Sequence, residues 1–99
     1  MSLVAGLWWD EALYGAAQQG DVAQMKSLIE RGADVNSDFE GDPVLSAAVQ
    51  SRNVGAVKLL LDHGADPNSK GTSEQKPVVE LARYLPEIRA LLIKAGAKT

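Results

Sequence analysis

Few residues in this chain could carry proton or metal chemistry. His63 is the single histidine, and there is no cysteine. A lone imidazole lacks a second ligand for a zinc site and a thiol or serine partner for nucleophilic catalysis. It stands directly before Gly64, where a cation near a helix C-terminus is mildly favourable. The carboxylates are more numerous, thirteen in all. Their placement is that of structure formers: Asp34 and Asp66 recur at equivalent turn positions, and Asp10, Asp21, Asp42 and Asn53 stand where helices start. Neither "GADVN" nor "GADPN" is a phosphate loop, which needs a glycine-rich turn entering a helix, usually with Lys. The sequence therefore points to a protein that is not an enzyme, with no cofactor and no metal.

The elements behind these residues repeat. "RGADVNS" starts at Arg31, "HGADPNS" at His63 and "AGAKT" at Ala95, which places Gly32, Gly64 and Gly96 at a constant spacing of 32. A fixed period of this size marks a repeat architecture. Gly in the left-handed conformation closes a helix, and the Asp and Asn that follow favour a turn. In the first unit a helix is expected over 11–19, capped by Asp10 and weakened at Gly15, whose small size suggests close approach of a neighbouring helix. Gly20 breaks it. Asp21 and Gln24 form a potential capping box for a second helix over 22–31. Its apolar face is Val22, Met25, Leu28 and Ile29.

At an offset of 32 the second unit repeats that face with Val54, Val57, Leu60 and Leu61. Asn53 replaces Asp21 as cap, and Pro43 is expected at the first helical position. The connector "SDFEGD" reads as an extended finger. In the third unit the connector is two residues longer and the inter-helix turn is expected to be two shorter, so "PEIRALLIKAG" returns to phase. Insertion and deletion in loops are well tolerated.

These motifs resemble the ankyrin repeat. The stretch "DFEGDPVLSAAV" from Asp38, "NVGAVKLLLDHGADPN" from Asn53 and "GDVAQMKSLIERGADVN" from Gly20 carry the likeness, and "VVELARYLPEIRALLIKAGA" looks like a terminal repeat. The resemblance covers about residues 10–98. It implies an all-α fold: an ankyrin-repeat solenoid of three helix-turn-helix units joined by hairpin-like finger loops. The chain reads as one domain, 1–99, with units of about 9–37, 38–69 and 70–99. The family's T-P-L-H histidine is Tyr14, Ser46 and Glu80 here. Arg89 replaces Met25 and Val57, and Lys98 replaces Asp34 and Asp66, as suits a polar terminal cap that ends the stack.

The resemblance also implies a protein–protein interaction module, with partners docking on a concave face made by fingers and first helices. The positions typically exposed there map onto Trp8 in the first unit, Phe39, Glu40 and Asp42 in the second, and Ser73, Glu74 and Lys76 in the third. On the helices they map onto Gln18, Gln19, Gln50 and Ser51. Phe39 on a finger reads as an aromatic anchor for a partner or as packing against a neighbouring finger. Trp8 and Trp9 read as a lid over the first unit or as a homodimer contact, so the expected state is monomer or weak homodimer.

Bulk properties constrain the partner. The net charge is −3, which weighs against non-specific nucleic-acid binding. Residues 1–50 hold eight acids against Lys26 and Arg31, a net −6, while residues 51–99 hold five acids against eight bases, a net +3. An acidic first half favours a protein partner with a basic segment. No apolar run reaches membrane-spanning length. The N-terminus lacks the basic start of a signal peptide. The absence of cysteine fits an intracellular protein. Together these point to the cytoplasm and leave the nucleus open.

Overall fold

The computed structural model describes residues 2–71 and 76–98, with side chains from Trp9 onward. The helices are α1 (Ser2–Gln19), α2 (Val22–Glu30), α3 (Val44–Gln50), α4 (Val54–Asp62), α5 (Val78–Leu81) and α6 (Pro86–Lys94). Two short strands, β1 (Asp38–Phe39) and β2 (Asp42–Pro43), lie between α2 and α3. Three helix pairs are therefore stacked in sequence order, and the all-α solenoid is present. No described helix is long and apolar enough to cross a membrane.

Each second helix ends in the same way. Gly32, Gly64 and Gly96 have φ of 107°, 94° and 113°. The N–H of the following Ala33, Ala65 and Ala97 donates back to Leu28, Leu60 and Leu92 at 3.0, 3.0 and 2.9 Å. That double-bonded ending satisfies the last helical carbonyls and tucks the alanine inside. All three alanines are buried. Asp34 and Asp66 then accept from the N–H groups of Asn36 and Asn68 at 2.8 and 2.9 Å, which closes the expected turns.

The core runs along the stack. Met25 and Leu28 on α2, and Val57 and Leu60 on α4, are buried at matching positions. Ala16, Ala17, Ala47 and Ala48 are buried on the first helices, and their small side chains let α1 and α3 pack closely. Gly15 does not serve that purpose: a Cβ there would meet nothing within 4 Å. In the third unit Ile88 and Leu92 face inward, while Arg89 is exposed, as is the apolar Ile93.

Several helix starts differ from expectation. α1 begins at Ser2, so Asp10 lies inside a helix and caps nothing. No Pro interrupts 2–19, and the Asp10 carboxylate is used elsewhere, as described below. Asp21 does cap α2, accepting from the Gln24 N–H at 3.1 Å. The reciprocal half of the box is absent because the Asp21 N–H already donates to the Ala16 carbonyl. Asn53 caps α4 through the Ala56 N–H at 3.0 Å. Pro43 is not the first helical residue but the N-cap of α3, with an extended ψ of 149°. Pairing opposite Asp38 at the edge of a hairpin suits a residue with no N–H. Pro86 does open α6. The two residues missing from the third unit come out of its first helix rather than the turn: α5 has four residues where α3 has seven, and the turn that follows has four (82–85) where that after α3 has three (51–53).

Candidate functional site

The expected finger is a hairpin. Phe39 pairs with Asp42 and Asp38 with Pro43. Glu40 and Gly41 form the two-residue loop with φ of 53° and 84°. Two successive positive φ values match the right-handed twist of the flanking strands. Gly41 adopts this freely, whereas Glu40 is held there at a cost. The result is an exposed carboxylate at the hairpin tip.

Tyr14, on the preceding unit's first helix, ties the finger down. Its hydroxyl donates to Asp42 Oδ2 at 2.6 Å, a short charge-assisted bond. Its ring lies 5.3 Å from that of Phe39 at an interplanar angle of 33°, within the range of favourable aromatic pairs. Burial, the bond to Asp42 and the negative charges of Asp42 and Glu40 push the Tyr14 phenol up to about 12, with a bond to Gln18 working the other way. At neutral pH Tyr14 keeps its proton and is a secure donor.

Phe39 is 36% exposed although its ring is braced from behind. Gln18 is exposed one helical turn beyond Tyr14, and Gln19 is exposed beside it. Asp42 departs from the expectation of an exposed finger carboxylate. It is only 8% exposed, because it is the anchor for Tyr14. Gln50 is exposed and donates to the buried Ser46 hydroxyl at 3.0 Å. It sits at the far end of α3, about 9 Å along the axis from the finger. Ser51 is half-buried, its hydroxyl donating to the Ala48 carbonyl at 2.7 Å and accepting from the Asn53 N–H at 3.3 Å. Lys76 is exposed at the base of the third finger. The side chain of Trp8 and residues Ser73 and Glu74 lie outside the described residues. Trp9 is half-buried against the core, with the Arg31 guanidinium 5.6 Å from its ring centroid.

The structure thus brings together Gln18, Phe39, Glu40 and Asp42 and adds Tyr14, which sequence reasoning placed only as a substitute for the family histidine. Beside the finger, Asn36, Asp38, Pro43, Leu45, Asp66 and Ser69 line a cleft of about 350 Å³. The buried Ser69 hydroxyl has no hydrogen-bond partner there among the described residues. The two carboxylates, Asp38 and Asp66, suit a cationic side chain. No group of three His, Cys, Asp or Glu among the described residues is arranged to hold a metal ion.

A second set of polar residues was not legible in the sequence. Asn36 Oδ1 accepts from the Asp66 N–H at 2.7 Å, and its Nδ2 donates to the Gly64 carbonyl at 3.1 Å. Asn68 repeats both bonds with Lys98 and Gly96, at 2.9 and 3.3 Å. In the first unit, where no earlier asparagine exists, Asp10 supplies the acceptor to the Asp34 N–H at 2.7 Å. The recurrence of Asn at 32 residues was a signal for the first two. Asp10 stands out of phase with them and gave none.

The sequence profile described as ankyrin repeats (3 copies) matches residues 6–71. The third unit beyond residue 71 is supported by its own geometry: the same glycine ending and the same Asn68 bridge. No curated protein matches the chain.

Proposed function

The chain belongs to the ankyrin-repeat family, and on that premise we propose that it binds a partner protein through the face formed by α1 and the second finger. Ankyrin repeats generally serve as protein–protein interaction modules. The observation that carries the choice of face is the braced Phe39. An aromatic ring that stays exposed while Tyr14 and Asp42 fix its position loses little entropy on docking. Residues of this type, at the centre of an interface, supply most of its affinity.

The rim sets the partner's charge. Glu40 at the tip and Asp38 and Asp66 in the adjoining cleft favour a basic segment. Gln18 and Gln19 on α1 extend the face with neutral hydrogen-bonding groups, and Lys76 borders it on the third unit. Asp34 and Asp66 close turns, Asp21 caps α2 and Asp42 anchors the finger. Affinity capture with the intact chain, compared with Phe39→Ala and Glu40→Lys, tests this reading. Partners lost to both variants but retained by Arg89→Gln, on the opposite end of the stack, support it. Partners indifferent to Phe39 and Glu40 sink it.

A further inference from the structure

The shortened α5 has a consequence on the edge away from the fingers. α3 continues to Gln50, but its counterpart α5 stops three residues sooner in register, at Leu81. Of the last turn of α3, Gln50 is left exposed, while Ala47, Ala48 and Val49 stay buried. Two grooves open there, of about 320 and 150 Å³. Both are lined by Arg52 and Leu85. A third, of about 670 Å³, continues from Pro86 along α6 past Arg89 to Lys94. Half-buried Leu81 and Leu85 give the first an apolar floor above the fully buried Val49, and Tyr84, 84% exposed, stands at its rim. The Arg83 guanidinium lies 5.9 Å from the Tyr84 ring centroid.

Arg52 is the unusual residue. Its φ is 62°, a left-handed conformation disfavoured for a side chain with a Cβ. The first unit meets the same requirement with Gly20, at φ 68°. The second unit thus places a cation where glycine would relieve the backbone, and that cation lines both grooves. Strain held at a surface position is a reason to look for function there.

The charge of the surface is one-sided. Arg52, Arg89 and Lys94 make no side-chain hydrogen bond or ion pair among the described residues. Arg83 holds Glu80 at 3.3 Å, which leaves Glu87 as the other carboxylate along the grooves. We infer that this surface is a second docking site, independent of the finger face, for an acidic peptide segment carrying an apolar side chain. The apolar side chain enters the notch over Leu81 and Leu85, and flanking carboxylates meet Arg52 on one side and Arg89 and Lys94 on the other. The opposite sign of the finger face, with its expected basic partner, separates the two sites by charge.

The test is selection from a random-sequence peptide library displayed on phage, using the full chain, followed by fluorescence anisotropy of the selected peptides. Peptides rich in Asp and Glu around one apolar residue are expected. Arg52→Gly should weaken them about tenfold, the scale of one lost charge contact, while the thermal midpoint stays at or above that of the parent. Phe39→Ala should leave their affinity unchanged, and added salt should lower it. Should Arg52→Gly lower the midpoint, Arg89→Gln reads the same surface from an exposed helix position. Selected peptides without acids, an empty selection, or affinities that ignore both Arg52 and Arg89 overturn the proposal. So does light scattering that shows a second copy of the chain released by Arg52→Gly, because the occupant is then the protein itself.

Discussion

Along one edge of the stack, where each second helix ends, the backbone N–H groups of Asp34, Asp66 and Lys98 donate in turn to Asp10, Asn36 and Asn68. Along the other edge, where each first helix gives way to the second, no two turns are alike. One uses Gly20, the next Arg52 in the same conformation, and the third a shortened α5 with Leu85 as a cap that offers no side-chain bond. The difference lies in who satisfies the polar groups. On the first edge each turn is completed by the neighbouring unit, so a departure strands groups in two units at once. On the second, the described residues make a single bridge of this kind, from Asn53 Nδ2 to the Gly20 carbonyl at 2.9 Å. The rest is settled within each unit, and the chain can vary there.

The contrast can be broken most forcefully at Asn36. Asn36→Ala removes two bonds between units and should cost about 2 kcal/mol. Because repeats are stabilised through their interfaces, urea unfolding of this variant should also broaden as the third unit melts apart from the first. A single sharp transition at the parent midpoint would show that the bridges contribute nothing. Gly20→Ala is next, at about 1.5 kcal/mol of lost stability. It adds left-handed strain, and its Cβ would come within 3.1 Å of Asn53 Nδ2, the one bridge on that edge. Arg52→Gly, the reverse change on the same edge, should not destabilise, and the pair measured side by side tests whether one backbone conformation governs both turns.

Tyr14→Phe should cost about 1 kcal/mol at neutral pH, as the bond to Asp42 is lost from a half-buried position. Its pH dependence follows from the raised phenol. The folded chain keeps a proton that the unfolded chain releases, so the Tyr14 contribution is complete below pH 10.0 and is lost as pH climbs towards about 12. Denaturation of parent and variant should therefore differ at neutral pH and converge in alkali. A gap that stays constant above pH 10.0 would assign the effect to packing alone. The smallest effect is expected at Asp10→Asn, within about 0.5 kcal/mol, since an amide oxygen accepts from the Asp34 N–H as the carboxylate does and creates the pattern of the later units. A large loss measured by thermal melting would mean that the negative charge itself is required.

Much of this edge comparison was legible in the residues. The glycines at 32-residue spacing, the alanines after them and the Asp and Asn that follow are local signals, because a left-handed position and a two-residue hydrogen-bonded turn are set by the residues that occupy them. Asp21 and Asn53 were readable as caps for the same reason. Asp10 was misread. It looks like a cap, but the helix passes through it, and its partner Asp34 lies 24 residues away. Gly15 was misread too, because a missing Cβ says nothing about whether a neighbour is there to use the space.

The finger face divides in the same way. An exposed hairpin bearing Phe39 and Glu40 was readable from "SDFEGD", since Glu-Gly at the tip and Pro at the end leave the chain few alternatives. That Tyr14 would brace the ring, and that Asp42 would be buried beneath it, depends on two residues 28 apart meeting across a unit boundary. The third unit makes the point again. Its insertion and deletion could be counted along the chain, but only packing decided that α5, and not the turn, would give up the residues. The sequence alone determined the period, the helix endings and the all-α stack, because these rest on local backbone preference and on apolar spacing. Only the tertiary structure decided which polar side chains bridge the units and which surfaces stay open, because a hydrogen bond or a groove between units belongs to no single stretch of chain.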